Sequence, residues 1–229
     1  MLLILLAIAA YLLGSIPLAY IIARWTRGVD LRKFGSGNVG SSNVLQATSK
    51  RWAIPVVLFD IGKGLLAVWL ARWTGLDIAP QFLVGFAAIA GHNWPVFLGF
   101  HGGRGIFTSF GVILAFSPLL GLTVCLIASS LAPLKNLSLG VFIGLLALPM
   151  LAYYLANFFD ITEGGQVAAG FAALTTLALG RRLIGRRSEL SSDLSNGDLL
   201  LNRLLFDRDI RDRKAWITRP ENTGNKALS

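Results

Sequence analysis

Two polar loops interrupt an apolar chain, and both hold residue types that can grip a phosphate. The first, at 31–43, reads LRKFGSGNVGSSN. Its glycines Gly35, Gly37 and Gly40 carry no Cβ, so successive backbone amides can converge on an anion. Ser36 adds a hydroxyl, and Asn38 and Asn43 add carboxamides. The second loop, at 91–105, reads GHNWPVFLGFHGGRG. Gly102, Gly103, Arg104 and Gly105 make a turn before a predicted helix start. There the amides and the helix dipole face an anion, and the guanidinium can hold it through two hydrogen bonds. A flexible connector and an ordinary turn with a cytoplasmic arginine are the blander readings. The density of Ser, Asn and Gly beside bulky apolar runs favours function. His92 fits an interfacial hydrogen-bonded histidine as well as a catalytic one.

Asp60 and Lys63 lie one helical turn apart and can pair. A lone ion at a bilayer centre costs about 3 kcal/mol or more, so such residues face the interior of a helix bundle. A structural ion pair is the favoured reading, and a substrate role is the other.

Other chemistries are excluded or weak. The pattern G-x-G-x-x-G at Gly35, Gly37 and Gly40, with Asp60 beyond it, invites a dinucleotide site. That site needs a strand before and a helix after; here an apolar run stands before, and Asp60 lies inside the next one. No Walker A loop is present. Two His and one Cys make no ligand-spaced cluster, so no metal is expected. No Ser-His-Asp arrangement can be argued. The H-x4-D acyltransferase pattern is absent: Phe97 and Ile106 stand where the acid would follow His92 and His101.

Membrane helices must position these loops. Charged residues are 14% of the 229, against about 25% in a soluble domain. This composition excludes disorder and a soluble core. The lone cysteine, Cys125, forms no internal disulfide. The net charge of +9 could suggest nucleic acid. The cations instead cluster at the ends of apolar runs, as in membrane proteins, so no nucleic-acid partner is expected.

The apolar runs are 2–23, 52–71, 78–100, 105–134, 136–159 and 164–180. The first is long enough to cross about 30 Å of hydrocarbon. Arg24 and Arg27 place its C-terminal end in the cytoplasm and its N-terminus outside. Six crossings would strand Arg181, Arg182, Arg186 and Arg187 outside. The 30-residue run 105–134 contains Ser117-Pro118, and proline ends or kinks a helix. Splitting it there puts Lys135 and the arginines inside and Asp160 and Glu163 outside. The expected fold is therefore an all-α integral membrane protein with about seven transmembrane helices, N-terminus outside and C-terminus cytoplasmic. Five long spans satisfy the same parity. Residues 1–187 form the polytopic domain and 188–229 a polar cytoplasmic tail, in which 202–217 reads as a charged helix or a membrane-surface segment. No internal repeat is visible.

The strings GSGNVGSSNVL, DIGKG and GHNWPVFLGFHGGRG, in that order, resemble the bacterial acyl-phosphate:glycerol-3-phosphate acyltransferase family. These are integral membrane enzymes of phospholipid synthesis. The resemblance implies seven helices, cytoplasmic active-site loops and the bacterial cell membrane. It implies acyl transfer from acyl phosphate to the 1-hydroxyl of glycerol 3-phosphate, giving 1-acylglycerol 3-phosphate and phosphate. Ser36 and Arg104 are then the catalytic residues. Gly35, Gly37, Asn38, Asn43, His92, Gly102, Gly103, Gly105 and Ser138 bind substrates, and Asp60 with Lys63 forms a structural pair. The expected partners are acyl phosphate, glycerol 3-phosphate and membrane lipid; the protein is expected to be a monomer without cofactor or metal.

The chain departs from the family pattern. Gln46 stands for an arginine, Arg104 for a lysine, and Ile106-Phe107-Thr108 for Val-Ala-Thr. The S-x-x-S element keeps Ser138 but has Val141 in its second place. The third motif, a His and an Asn after the last helix, has no match at 181–189. A divergent enzyme, with arginines of 181–187 replacing the lost groups, is one reading. A weak or inactive homologue that binds anionic lipid precursors is another. A small transporter is a third, disfavoured because few polar residues thread the spans.

Overall fold

Pro17 has no amide hydrogen and disfavours helix at the residue before it. In the computed structural model, which describes residues 1–185 and 187–218, the first apolar run accordingly breaks. It forms α1 (Leu2–Ser15) and α2 (Leu18–Arg27) rather than the single uninterrupted helix its hydropathy suggests. Gly28 stops α2 in a left-handed conformation, φ +68°, which glycine adopts at little cost. A short helix, α3 (Ser41–Ala47), follows the first polar loop.

The long elements come next: α4 (Lys50–Trp73), α5 (Ile78–Asn93), α6 (Ile106–Phe116), α7 (Pro118–Ser130), α8 (Leu137–Tyr154) and α9 (Gly164–Leu183). The uncharged run 105–134 does break at Ser117. Its Oγ accepts the Leu120 amide at 3.2 Å and donates to the Phe159 carbonyl at 2.8 Å. Pro118 opens α7, where a missing N–H costs nothing. The tail forms α10 (Asn196–Phe206) and α11 (Arg213–Thr218). It starts its helix earlier than residue 202 and leaves it at Asp207, whose φ is +58°. Arg186 and 219–229 lie outside the described residues. No strand occurs among the described residues.

Among the described residues, three stretches are long and apolar enough to cross a bilayer: Leu2–Arg27, Lys50–Trp73 and Leu137–Tyr154. α6 and α7 are shorter apolar helices. Close helix pairs use glycine. At α1–α5, a Cβ on Gly14 would strike the Ala88 carbonyl oxygen, and one on Gly91 would strike that of Tyr11. Such small residues let backbones approach where lipid offers no hydrophobic drive. Phe82, Phe116 and Phe171 pack as one aromatic group; Phe82 and Phe116 stack 4.1 Å apart. Leu58, Leu126 and Met150 are mostly exposed on the outside, as a lipid-facing surface would be. α10 packs against α8 and α9 and so brings the tail to the bundle end that carries the second polar loop.

Candidate active site

Asn43, at the start of α3, builds the first loop. Its Nδ2 lies 3.1, 2.9 and 3.0 Å from the carbonyls of Leu31, Phe34 and Asn38. The side chain is fully buried, so it shapes the loop from beneath rather than reaching out of it. Gly35 and Gly37 take φ of +53° and +68°, a region closed to most side chains. Ser36 and Asn38 are half-buried, and the Asn38 amide donates to Ser36 Oγ at 3.3 Å. The two loops join where the Val39 amide meets the Gly102 carbonyl at 3.4 Å.

The second loop is seated on the end of α5. The Gly103 amide donates to the His92 carbonyl at 3.0 Å. A Cβ at Gly102 would strike that carbonyl, and one at Gly103 would strike His92 Nε2. These two glycines therefore serve close packing against α5. Gly105, at φ +68°, precedes the first residue of α6 and leaves Arg104 at the mouth of that helix.

Beneath both loops lies a buried polar group. Lys63 Nζ donates to Asp60 Oδ1 at 2.9 Å, and His92 Nδ1 lies 3.3 Å from the same oxygen. The other two ammonium hydrogens go to the carbonyls of Gly14 (3.2 Å) and Ile16 (2.7 Å), at the α1–α2 break. A small cavity opens here, lined by Ser15, Val39, Asp60, Lys63, His92 and Gly102 among others.

Arg104 heads a second polar group. It pairs with Asp207, the residue that ends α10. Arg182 Nε lies 4.0 Å from the same carboxylate oxygen. Arg182 Nη1 holds the carbonyls of Leu204 (2.8 Å) and Ser138 (3.2 Å), which draws Ser138 to this group through its backbone. Arg181 lies over the Trp94 ring, 5.5 Å from its centroid. Burial, and then the cations of Arg181, Arg182 and Arg203, push the Arg104 pKa down to about 9. It stays charged at neutral pH, and the Asp209 carboxylate acts in the opposite direction.

The expected residues thus fall into two neighbouring groups. Gly102, Gly103 and His92 join the Asp60–Lys63 pair, while Arg104 and Ser138 gather with Arg182 and the tail. No hydrogen bond or ion pair joins Ser36 to Arg104 among the described residues. Sequence reasoning missed Asp207 and the carboxamide of Asn93. Asn93 is fully buried at the end of α5 and its side chain has no hydrogen-bond partner among the described residues, with Oδ1 facing Gly105. Thr108 and Ser109, just inside α6, also have buried hydroxyls without partners among the described residues. Unsatisfied buried polar atoms are rare in folded chains. The motif letters GHN and the helix start after Gly105 were the available signals for them.

A sequence profile described as Glycerol-3-phosphate acyltransferase matches residues 4–187. The chain is 46% identical over 211 residues to Glycerol-3-phosphate acyltransferase 4 of Dehalococcoides mccartyi strain CBDB1, covering 92% of this chain and 91% of that one. It is 44% identical over 216 residues to Glycerol-3-phosphate acyltransferase 5 of Dehalococcoides mccartyi strain 195, covering 94% and 93%. Its fold matches the crystal structure of PlsY, an integral membrane glycerol 3-phosphate acyltransferase, in the lysphosphatidic acid form. That match has a TM-score of 0.69 at 32% identity and covers 80% of this chain and 88% of PlsY. The glycerol 3-phosphate form of PlsY matches with a TM-score of 0.63 and covers 85% and 100%. By profile, sequence and fold together, the chain belongs to the glycerol-3-phosphate acyltransferase family.

Proposed function

We propose that this membrane enzyme transfers an acyl group from acyl phosphate to the 1-hydroxyl of glycerol 3-phosphate, the first step of phospholipid synthesis. The relatives' shared activity supports the reaction. The observation that carries it in this chain is Arg104: a charged, half-buried guanidinium at the mouth of α6, in a cluster where, among the described residues, arginines outnumber carboxylates.

The acyl phosphate is a mixed anhydride and already activated, so the protein supplies no nucleophile. The glycerol hydroxyl attacks the acyl carbon. A C–O bond forms, the bond from the acyl carbon to the phosphate oxygen breaks, and inorganic phosphate leaves with that electron pair. A phosphate oxygen of the substrate takes the hydroxyl proton. The enzyme's work is to hold two phosphates, bring hydroxyl and carbonyl together, and donate hydrogen bonds to the developing oxyanion. Ser36, Asn38 and the amides around Gly35 and Gly37 hold and orient the acyl phosphate. Arg104, with the α6 N-terminus at Gly105, holds the phosphate of glycerol 3-phosphate. Asn43, His92, Gly102 and Gly103 fix the shapes of the two loops, and Ser138 closes the acceptor side. Asp60 and Lys63 are the structural pair beneath.

The test uses purified protein in lipid nanodiscs with palmitoyl phosphate and labelled glycerol 3-phosphate. Lysophosphatidate is expected from the native chain and is reduced about 100-fold in Arg104→Ala, the loss expected for a buried charged hydrogen-bonding partner. Absence of product from native protein that still binds glycerol 3-phosphate would sink the enzyme reading.

The seven spans are α1–α2 together, α4, α5, α6, α7, α8 and α9, with both polar loops and the tail in the cytoplasm of a bacterium and the N-terminus outside. The protein acts as a monomer. With Cys125 replaced, single cysteines at Ser42 and Glu163 should react with an impermeant maleimide from opposite faces. Reaction of both from one face would overturn the topology.

A further inference from the structure

Asp207 occupies Arg104 although it lies on the tail, outside the polytopic domain. It ends α10 in a left-handed conformation, φ 58° and ψ 35°, which aspartate tolerates better than most residues. Its carboxylate faces Arg104 and Arg182, with Arg181 and Arg203 acting on Arg104 nearby. Arg203 is itself matched by Asp209 at 2.7 Å. Among the described residues, two carboxylates, Asp207 and Asp209, thus meet the charges of four arginines around this point.

We propose that Asp207 is a placeholder anion: its carboxylate holds Arg104 in the substrate-free enzyme and yields it to the phosphate of glycerol 3-phosphate. The inference rests on the reading of Arg104 as the acceptor-phosphate residue.

Three observations support displacement rather than a permanent lock. First, the tail is anchored without Asp207. Arg203 Nη1 donates to the carbonyls of Leu183 (3.0 Å) and Gly185 (3.1 Å), Asn202 Nδ2 donates to the Asp209 carbonyl (3.1 Å), and Arg182 holds that of Leu204. The end of α10 at Asp207 can therefore loosen, and its side chain swing away, while the rest of α10 stays docked. Second, the Asp207 side chain is 28% exposed and that of Arg104 19%, whereas the Asp60–Lys63 pair is at 4% and 2%. Both side chains of the first pair thus keep an exposed edge from which a solute can approach, although the facing atoms Arg104 Nη1 and Asp207 Oδ1 are themselves buried. Third, a phosphate monoester brings nearly two charges and three acceptor oxygens, against one charge and two oxygens for a carboxylate. In a cluster with surplus positive charge it wins the exchange. Until then the carboxylate offsets the cost of leaving guanidiniums buried and unmatched.

A placeholder lowers apparent affinity by the fraction of time it holds the site. The test is the nanodisc assay at varied glycerol 3-phosphate for native protein, Asp207→Asn, Asp207→Glu and Arg104→Ala. Asp207→Asn should lower the KM for glycerol 3-phosphate about fivefold, equivalent to about 1 kcal/mol. The KM for palmitoyl phosphate should not move, and Asp207→Glu should restore native values. An unchanged or raised glycerol 3-phosphate KM in active Asp207→Asn overturns the placeholder. Arg104→Ala separates the two ideas. A strong rise in its KM beside an unmoved Asp207→Asn leaves the acceptor reading standing and the placeholder refuted. An unmoved KM in Arg104→Ala refutes the acceptor reading itself. Native protein gives a second readout that needs no variant. Glycerol 3-phosphate alone should speed amide hydrogen exchange at 206–208 as Asp207 lets go; slower or equal exchange there counts against the proposal.

Discussion

Lys63 donates a 2.7 Å hydrogen bond to the carbonyl oxygen of Ile16, the residue at which α1 stops. The break at Pro17 leaves carbonyls without helical partners in an apolar setting. An ammonium from α4 takes two of them, and Asp60 neutralises it. Pro17 and the buried ion pair are thus two halves of one device, and His92 ties it to the second loop.

Removing one half should be costly. Lys63→Met leaves Asp60 buried without its ammonium, removes the Lys63 donor from the Gly14 carbonyl, and leaves the Ile16 carbonyl only the Leu18 amide at 3.1 Å. Breaking a buried pair in this way costs about 3–5 kcal/mol. The thermal midpoint in detergent should fall sharply, and the Asp60→Leu, Lys63→Met double variant should lose less than the single one. A Lys63→Met protein as stable as the native chain would contradict the account.

The loop break at Ser117-Pro118 was readable because proline acts locally and a charge count along the chain demanded one more crossing. The break at Pro17 carries an equally local signal, but the first run is long enough to span alone, and nothing local says that Lys63 caps it. Distance along the chain hides such partners. The same holds for Asp207, which meets Arg104 only because α10 folds back on α8 and α9. Glycine types were legible, their reasons less so. Gly102 and Gly103 suggested amides open to phosphate, yet their Cα faces are pressed against His92.

Asn43 should matter through the loop's shape. Asn43→Asp keeps size but replaces the donor that three carbonyls share. The buried carbonyls then lose their partner, at about 1–3 kcal/mol. The loop at 31–40 should exchange amide hydrogens faster and the KM for palmitoyl phosphate should rise several-fold. Native exchange in that loop would show that Asn43 does not tie it.

Gly103→Ala tests the seat of the second loop. The new methyl meets His92 Nε2 and the Val39 carbonyl, so the loop must lift from α5. Overpacking of this kind costs about 1–3 kcal/mol. Because the shift displaces Arg104, kcat/KM for glycerol 3-phosphate should fall at least about tenfold, since small misplacements of positioning groups are costly. Gly99→Ala offers a control: its φ of +58° strains a side chain, but open space surrounds it. Equal losses in both variants would remove His92 from the explanation.

Acid should release the tail, and Asp209 gives the direction. Burial pushes its carboxyl pKa up, but the Arg203 guanidinium and the Ser188 amide outweigh burial and hold it below the ordinary aspartate value. A carboxyl whose pKa is lower in the docked state favours docking wherever it is ionised. That contribution is complete above the free value of about 3.9 and fades as pH falls through the depressed docked value. Docking of 196–209 should therefore hold steady from neutral pH to about 5 and weaken below about 4, seen as protease cleavage after Arg203 or Arg208 or as faster hydrogen exchange. Asp209→Asn should weaken docking already at neutral pH and flatten the acid limb. A tail that stays protected at low pH in native protein, with Asp209→Asn docking as firmly, would mean that Asp209, through the Ser188 amide and its hold on Arg203, is not what fastens the tail to the end of α9.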